Sequence, residues 1–191
     1  MAHFLADGSP LQGRSGKLTR VEELLDEILA EGDKVLCFTQ FTAWGELLRP
    51  YLQQRFGQES PWLHGGVRRA ARDEMVERFG NASGPQLLLV SLKAGGTGLN
   101  LTAASHVINL DRWNPAVEEQ ATDRAYRIGQ RRTVHVHKIV AAGTVEERID
   151  EMINAKRDLA QRVVGAGEDW LTTLSTNELR ELVALRTTEI G

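Results

Sequence analysis

One cysteine, two tyrosines and five prolines are all that 191 residues contain of those types, and the first scarcity excludes most. A lone thiol, Cys37, cannot close an internal disulfide, so no cross-link staples this fold. It sits in the apolar run VLCF, where a cysteine behaves as a small buried strand residue. No cysteine and histidine cluster has zinc-site spacing. His135 and His137 alternate in VHVHKIV and so share one face of a strand, but no third metal ligand stands near them. Long apolar runs are missing too. Nothing approaches the roughly 20 residues that span a bilayer, and the amino terminus has no basic stretch leading into an apolar core, so a cytoplasmic protein without membrane contact is expected. Neither sign of charge dominates: 23 Lys and Arg stand against 26 Asp and Glu, a net charge of −3. That balance excludes a wholly basic nucleic-acid coat and leaves room for a local basic track. The residues available for one are Arg68, Arg69 and Arg72, then Lys93, then Arg124, Arg127, Arg131, Arg132 and Lys138.

What is present is an ordinary globular composition, 41% hydrophobic and 26% charged, in a chain long enough for one buried core. Residues 1–16 hold glycine and proline without apolar periodicity and read as a linker or cut end. Gly8 to Ser15 has the spacing of a phosphate-binding loop, but Arg14 stands where that loop needs lysine and no apolar strand precedes it. Thr19 and Glu22 predict a capping box opening a helix whose stripe is Val21, Leu24, Leu25, Ile28 and Leu29. Apolar strands are predicted at Lys34 to Thr39, Pro61 to Leu63, Leu87 to Ser91, His106 to Leu110 and Val134 to Val140. Helical patterns lie between them at Thr42 to Phe56, where Pro50 predicts a kink or break, and at Arg68 to Phe79. Strands that are apolar throughout and alternate with helices imply an α/β fold, a parallel sheet covered on both faces. In such sheets ligands bind beyond the carboxyl ends of the strands. Thr144 with Glu147, and Ser175 with Glu178, predict two further capped helices.

The richest stretch runs from Ser91 to Gln130: a glycine-rich turn, an apolar strand, then a helix carrying Gln120, Arg124 and Arg127. Steps of four and three residues put those three side chains on one helical face, and two guanidinium forks beside an amide suit a phosphate. A dinucleotide-binding enzyme is excluded, since no GxGxxG follows the first strand.

The segments AGGTGLNLTAASHVI, WNP and QATDRAYRIGQ, in this order and spacing, resemble the last two motifs of the Swi/Snf family of superfamily-two ATPases. The resemblance extends through SGKL, KVLCFTQF, LHGG and GTVEERI to nearly the whole chain. It implies a second, carboxyl-terminal RecA-like lobe of prokaryotic type at residues 17–165, with a helical brace at 166–191. It further implies that the chain is one half of a DNA-dependent ATPase, excised from a longer protein whose first RecA-like lobe carries the phosphate loop and holds magnesium. ATP would lie between the lobes. By the same resemblance Arg127 is the finger on the γ-phosphate, Arg124 supports it and Gln120 holds the network. Gly96, Gly98 and Asn100 fall near the nucleotide cleft, and Gln40, His64, Gly65, Arg72, Lys93 and Thr97 near duplex DNA. Between Asp111 and the WNP segment the chain is one residue shorter than is usual in the family. The other reading of these residues is a free-standing module that binds DNA or protein without hydrolysis.

Overall fold

The run VLCFT carries no side chain that prefers water except its last threonine, and it becomes the centre of the molecule. In the computed structural model, β1 (Val35–Thr39) is buried at every residue and pairs in parallel with β3 (Leu87–Ser91) on one side and β4 (His106–Asn109) on the other. β2 (Trp62–Leu63) pairs with β3, and β5 (His135–Lys138) with β4, giving the five-stranded parallel order β2-β3-β1-β4-β5. The structure describes residues 11, 13, 15–95, 99–111, 118, 120, 122–123, 125, 132–162 and 175–176.

Alternation along the strands divides the core into two layers. Val35, Cys37, Leu87, Leu89, Ile108 and Ile139 pack with α1 (Gly16–Ala30) and α2 (Thr42–Phe56). Leu36, Phe38, Leu88, Val90 and Val107 face the other way, with Phe79 of α3 (Arg69–Gly80) and with Ala125. Full burial of side chains of this size contributes roughly 1.5–3 kcal/mol each. A short α4 (Leu92–Gly95) follows β3 directly. The predicted α/β parallel sheet is therefore the fold, and burial pushes the Cys37 thiol far up.

Four local expectations change. Helix α1 begins three residues before the predicted cap, because Ser15 accepts from the Leu18 amide at 3.1 Å and leaves Thr19 inside the helix. Pro50 does not end α2, which is helical from Thr42 to Phe56 with the exposed proline inside it. β5 is shorter than Val134 to Val140 at both ends. Its face assignment stands: His137 is half-buried and meets His106, Nε2 to Nδ1, at 3.4 Å. The fourth concerns α5 (Val145–Arg162), where the predicted box is offset by one residue: Thr144 Oγ1 accepts from the Glu146 amide, and Glu147 from the Gly143 amide. Ser175 is described, but Glu178 lies outside the described residues.

The chain divides into two compact units, Met1–Asp111 with Val117–Ile139, and Arg112–Ala116 with Val140–Gly191. The sheet and both layers above belong to the first. In the second, Ile149 and Ile153 of α5 are buried, with Val145 and Met152 packed against them. Among the described residues no helix is long and apolar enough to cross a membrane.

Candidate nucleotide and nucleic-acid interface

Because all five strands are parallel, their carboxyl ends lie along one edge, and the loops there follow Thr39, Leu63, Ser91 and Asn109. Gln40, His64, Gly65 and Lys93 are placed on that edge by topology alone. Gln40 is half-buried; Lys93 is exposed on α4, two residues beyond the end of β3.

Asp111 fixes the central loop. Its carboxylate is 7% exposed, and Oδ2 accepts from Thr39 Oγ1 at 2.6 Å and from the Gln40 amide at 3.0 Å. Thr39 Oγ1 accepts in turn from the Phe41 amide at 3.1 Å. A buried carboxylate needs such partners, and here they serve to hold the backbone at Gln40 and Phe41. Phe41, at 47% exposure, stands out into solvent from this support.

His64 Nδ1 accepts from the Gly66 amide at 3.2 Å, and its Nε2 lies 3.8 Å from Glu46 Oε1. Its ring stacks on Trp62 with centroids 5.6 Å apart, and Trp62 Nε1 donates to Glu46 at 3.0 Å. The LHGG segment thus turns at Gly65 and Gly66, with the His64 ring bonded to the Gly66 amide.

Arg72 and Asn100 line one groove of about 690 Å³ with Arg69, Asp73, Val76, Glu77 and Leu99. Among the described residues of its wall, Arg69 and Arg72 stand beside Asp73 and Glu77. Arg72 is half-buried and donates to Val67 O at 3.4 Å. Gln120 is helical and exposed, while Glu118 and Ala125 are buried. Gly96, Thr97, Gly98, Arg124 and Arg127 lie outside the described residues.

Two sites were not read from sequence. Lys34 donates to Phe79 O at 2.7 Å and Asn81 O at 2.6 Å, closing the carboxyl end of α3, where a cation complements the helix dipole. Arg132, a member of the predicted basic track, is committed elsewhere: its fork donates to both oxygens of Asp33 at 2.6 and 2.8 Å. Glu31, Asp33 and His106 have ligand atoms within 4.8 Å of one another. The Arg132 guanidinium already occupies Asp33, however, and this group lies at the amino ends of the strands. Along the opposite edge, Asp111 Oδ2 is taken up by Thr39 and Gln40, so no magnesium step is assigned to the described carboxylates.

Residues 16–129 match the family model described as the helicase conserved C-terminal domain. The chain belongs to that family. It is 51% identical over 179 residues to the putative ATP-dependent helicase/translocase YwqA of Bacillus subtilis, covering 93% of this chain and 19% of that protein. Among solved structures, the Sulfolobus solfataricus SWI2/SNF2 ATPase C-terminal domain matches with TM-score 0.74 and 39% identity over 96% of this chain and 75% of that one. The same organism's SWI2/SNF2 ATPase core in complex with dsDNA matches with TM-score 0.77 and 41% identity, covering 95% and 38%. This helicase C-terminal domain is therefore of the SWI2/SNF2 kind, with the expected RecA-like lobe. It spans about a fifth of the length of the YwqA relative.

Proposed function

We propose that this helicase C-terminal domain is the second ATPase lobe of a Swi/Snf-type translocase on double-stranded DNA, and that it completes an ATP site whose phosphate loop lies on a first lobe. The observation that carries the reading is the polar carboxyl edge of the sheet, with the Gln40 amide held by Asp111 and Lys93 two residues beyond β3, in a chain similar to a SWI2/SNF2 core in complex with dsDNA. Arg127 would stabilise charge on the transferring phosphoryl group, with Arg124 and Gln120 in support. An arginine finger supplies about 10³ to 10⁵ in rate. Gly96, Gly98 and Asn100 would approach the nucleotide. Gln40, His64, Gly65, Arg72, Lys93 and Thr97 would meet DNA through phosphates, which makes binding tolerant of sequence and steeply dependent on salt. Magnesium would be held by the first lobe, and the working place of the protein would be the cytoplasm, on the nucleoid.

DNA-stimulated ATP turnover of the full-length parent, with Arg127→Ala beside the wild type, tests the reading. A loss of two or more orders of magnitude in kcat is expected. Turnover unchanged by the substitution would make Arg127 structural. DNA binding without any turnover in the wild type would leave a binding module in place of the enzyme.

A further inference from the structure

His135 and His137 have no third metal ligand near them in sequence, and folding brings one to His137 from 31 positions away. Parallel pairing sets His106 against His135 and Ile108 against His137, so three imidazoles share one face along the outer strand pair of the sheet. Val136 and Lys138 alternate onto the opposite face. His106 Nδ1 lies 3.4 Å from His137 Nε2. That is long for a hydrogen bond, in which an N–H donor sits roughly 2.7–3.2 Å from its acceptor. It matches the span across a tetrahedral zinc, where two Zn–N bonds of about 2.0–2.1 Å place their nitrogens about 3.3–3.4 Å apart. The exposed His135 ring stacks on His106 with centroids 5.1 Å apart.

His106 is also supported from behind. Its Nε2 lies 3.3 Å from Asp33 Oδ2, and a carboxylate only accepts, so the tautomer that suits Asp33 carries its proton on Nε2 and leaves Nδ1 a lone pair. Asp33 is 8% exposed and is fixed in turn by Ser105 Oγ at 3.0 Å and by the Arg132 fork. A carboxylate behind the imidazole is the support that metal-ligating histidines almost always have. The charges around the group do not turn a cation away. Arg132 is neutralised by Asp33, the Arg20 and Glu27 charges of α1 act on His137 with opposite sign, and a Glu31 oxygen lies within 4.8 Å of ligand atoms of Asp33 and His106.

We propose that His106 Nδ1 and His137 Nε2 hold one divalent transition-metal ion of the zinc, copper and nickel class, with His135 as third ligand and water completing the shell. The His106 and His137 rings are 9° from parallel, and a turn about χ2, a soft torsion in histidine, aims both lone pairs at one point. His135 swings in from its stacked position. The ion fastens edge strand β5 to β4 through side chains, in addition to their backbone pairing. Every residue of the site belongs to the first compact unit, and none belongs to the loops at the carboxyl edge of the sheet. The site is therefore independent of the nucleotide and DNA contacts proposed above.

The test titrates zinc into the full 191-residue chain, free of any polyhistidine tag and stripped with chelator. Heat of binding, thermal unfolding and the NMR ring signals of the five histidines are followed together. One ion per chain is expected, with the His106, His135 and His137 signals shifting, those of His3 and His64 unmoved, and Tm raised. Removing even a supporting group of a metal-bound histidine costs about 10- to 100-fold in affinity, so His106→Gln and His137→Gln should each lose at least about tenfold, along with the rise in Tm. His135→Gln should lose less than either. Nickel should shift the same three rings, and magnesium, which demands oxygen ligands, should shift none. Circular dichroism without metal establishes that each variant is folded; where one is not, the ring signals of the wild type decide. An adventitious ion only, moving His3 or His64 as strongly as the other three, overturns the site. So does zinc bound by the folded His106→Gln and His137→Gln variants as tightly as by wild type, which would leave two imidazoles bonded to each other and nothing more.

Discussion

Gly45 tolerates no side chain. A Cβ built there would lie 2.3 to 2.6 Å from the Trp62 ring, closer than any real contact. That ring cannot yield easily: Trp62 is 3% exposed, its Nε1 is bonded to Glu46, and it stacks on His64. Alanine inside a helix gains about 1 kcal/mol over glycine, and overpacking a filled site costs about 1–3 kcal/mol, so the two effects oppose. The fully blocked ring makes overpacking the larger, and Gly45→Ala should lower stability by roughly 1–2 kcal/mol in urea unfolding. A variant as stable as wild type would show that Trp62 moves aside. No local pattern announces this, since a glycine in the first turns of α2 looks like a weak helix residue until the strand bearing Trp62 is packed against it. Lys34 was hidden in the same way. A lysine ahead of an apolar strand reads as a solvated charge, and its bonds to Phe79 and Asn81 exist only after β1 and α3 have packed.

Elements were more legible than the joints between them. Continuous apolar runs announced β1, β3 and β4, because burial on both faces leaves no polar residue to confuse the pattern. Helix starts were less certain. Thr19 with Glu22 satisfies the sequence rule for a capping box, yet Ser15 won by capping the Leu18 amide one turn earlier. The pairing of Asp33 with Arg132 spans 99 positions and has no local signature at all. It does have a signature in acid. The Arg132 hydrogen bonds hold the Asp33 carboxyl below its ordinary range, against the opposing pull of burial, with Ser105 and His106 assisting. A carboxyl whose pKa is lower in the folded than in the unfolded chain adds stability at pH above the unfolded value, near 4, and loses it as pH falls through the folded value. Asp33→Asn should therefore cost about 1–2 kcal/mol at neutral pH. The gap to wild type should narrow below about pH 4, read by urea unfolding with chelator present. A gap independent of pH would mean that the side chain is held by its shape alone.

For the molecule as a whole, α/β class and helicase-lobe membership were both readable, because motif order and a parallel sheet constrain one another. The nucleotide side of the site was readable only as a pattern of residues on a helix face. Phosphate-loop chemistry is not encoded in these 191 residues, since Arg14 replaces the required lysine in the one loop of that spacing. This chain alone should thus release no phosphate from ATP, with or without duplex DNA. Turnover that survives purification in the wild type and vanishes in Arg127→Ala would show the opposite.

The sheet's outer strands have a further consequence. β2 is two residues long, and β5 carries exposed His135 and Lys138 at its ends. Neither offers a neighbouring chain a long, flat, greasy ladder of free amides, the template on which strands of separate molecules add to one another. Newly made copies that meet before their folding is complete consequently have little to zip together along these borders. Crowding on a ribosome or in a concentrated solution should favour separate lobes over sticky sheets.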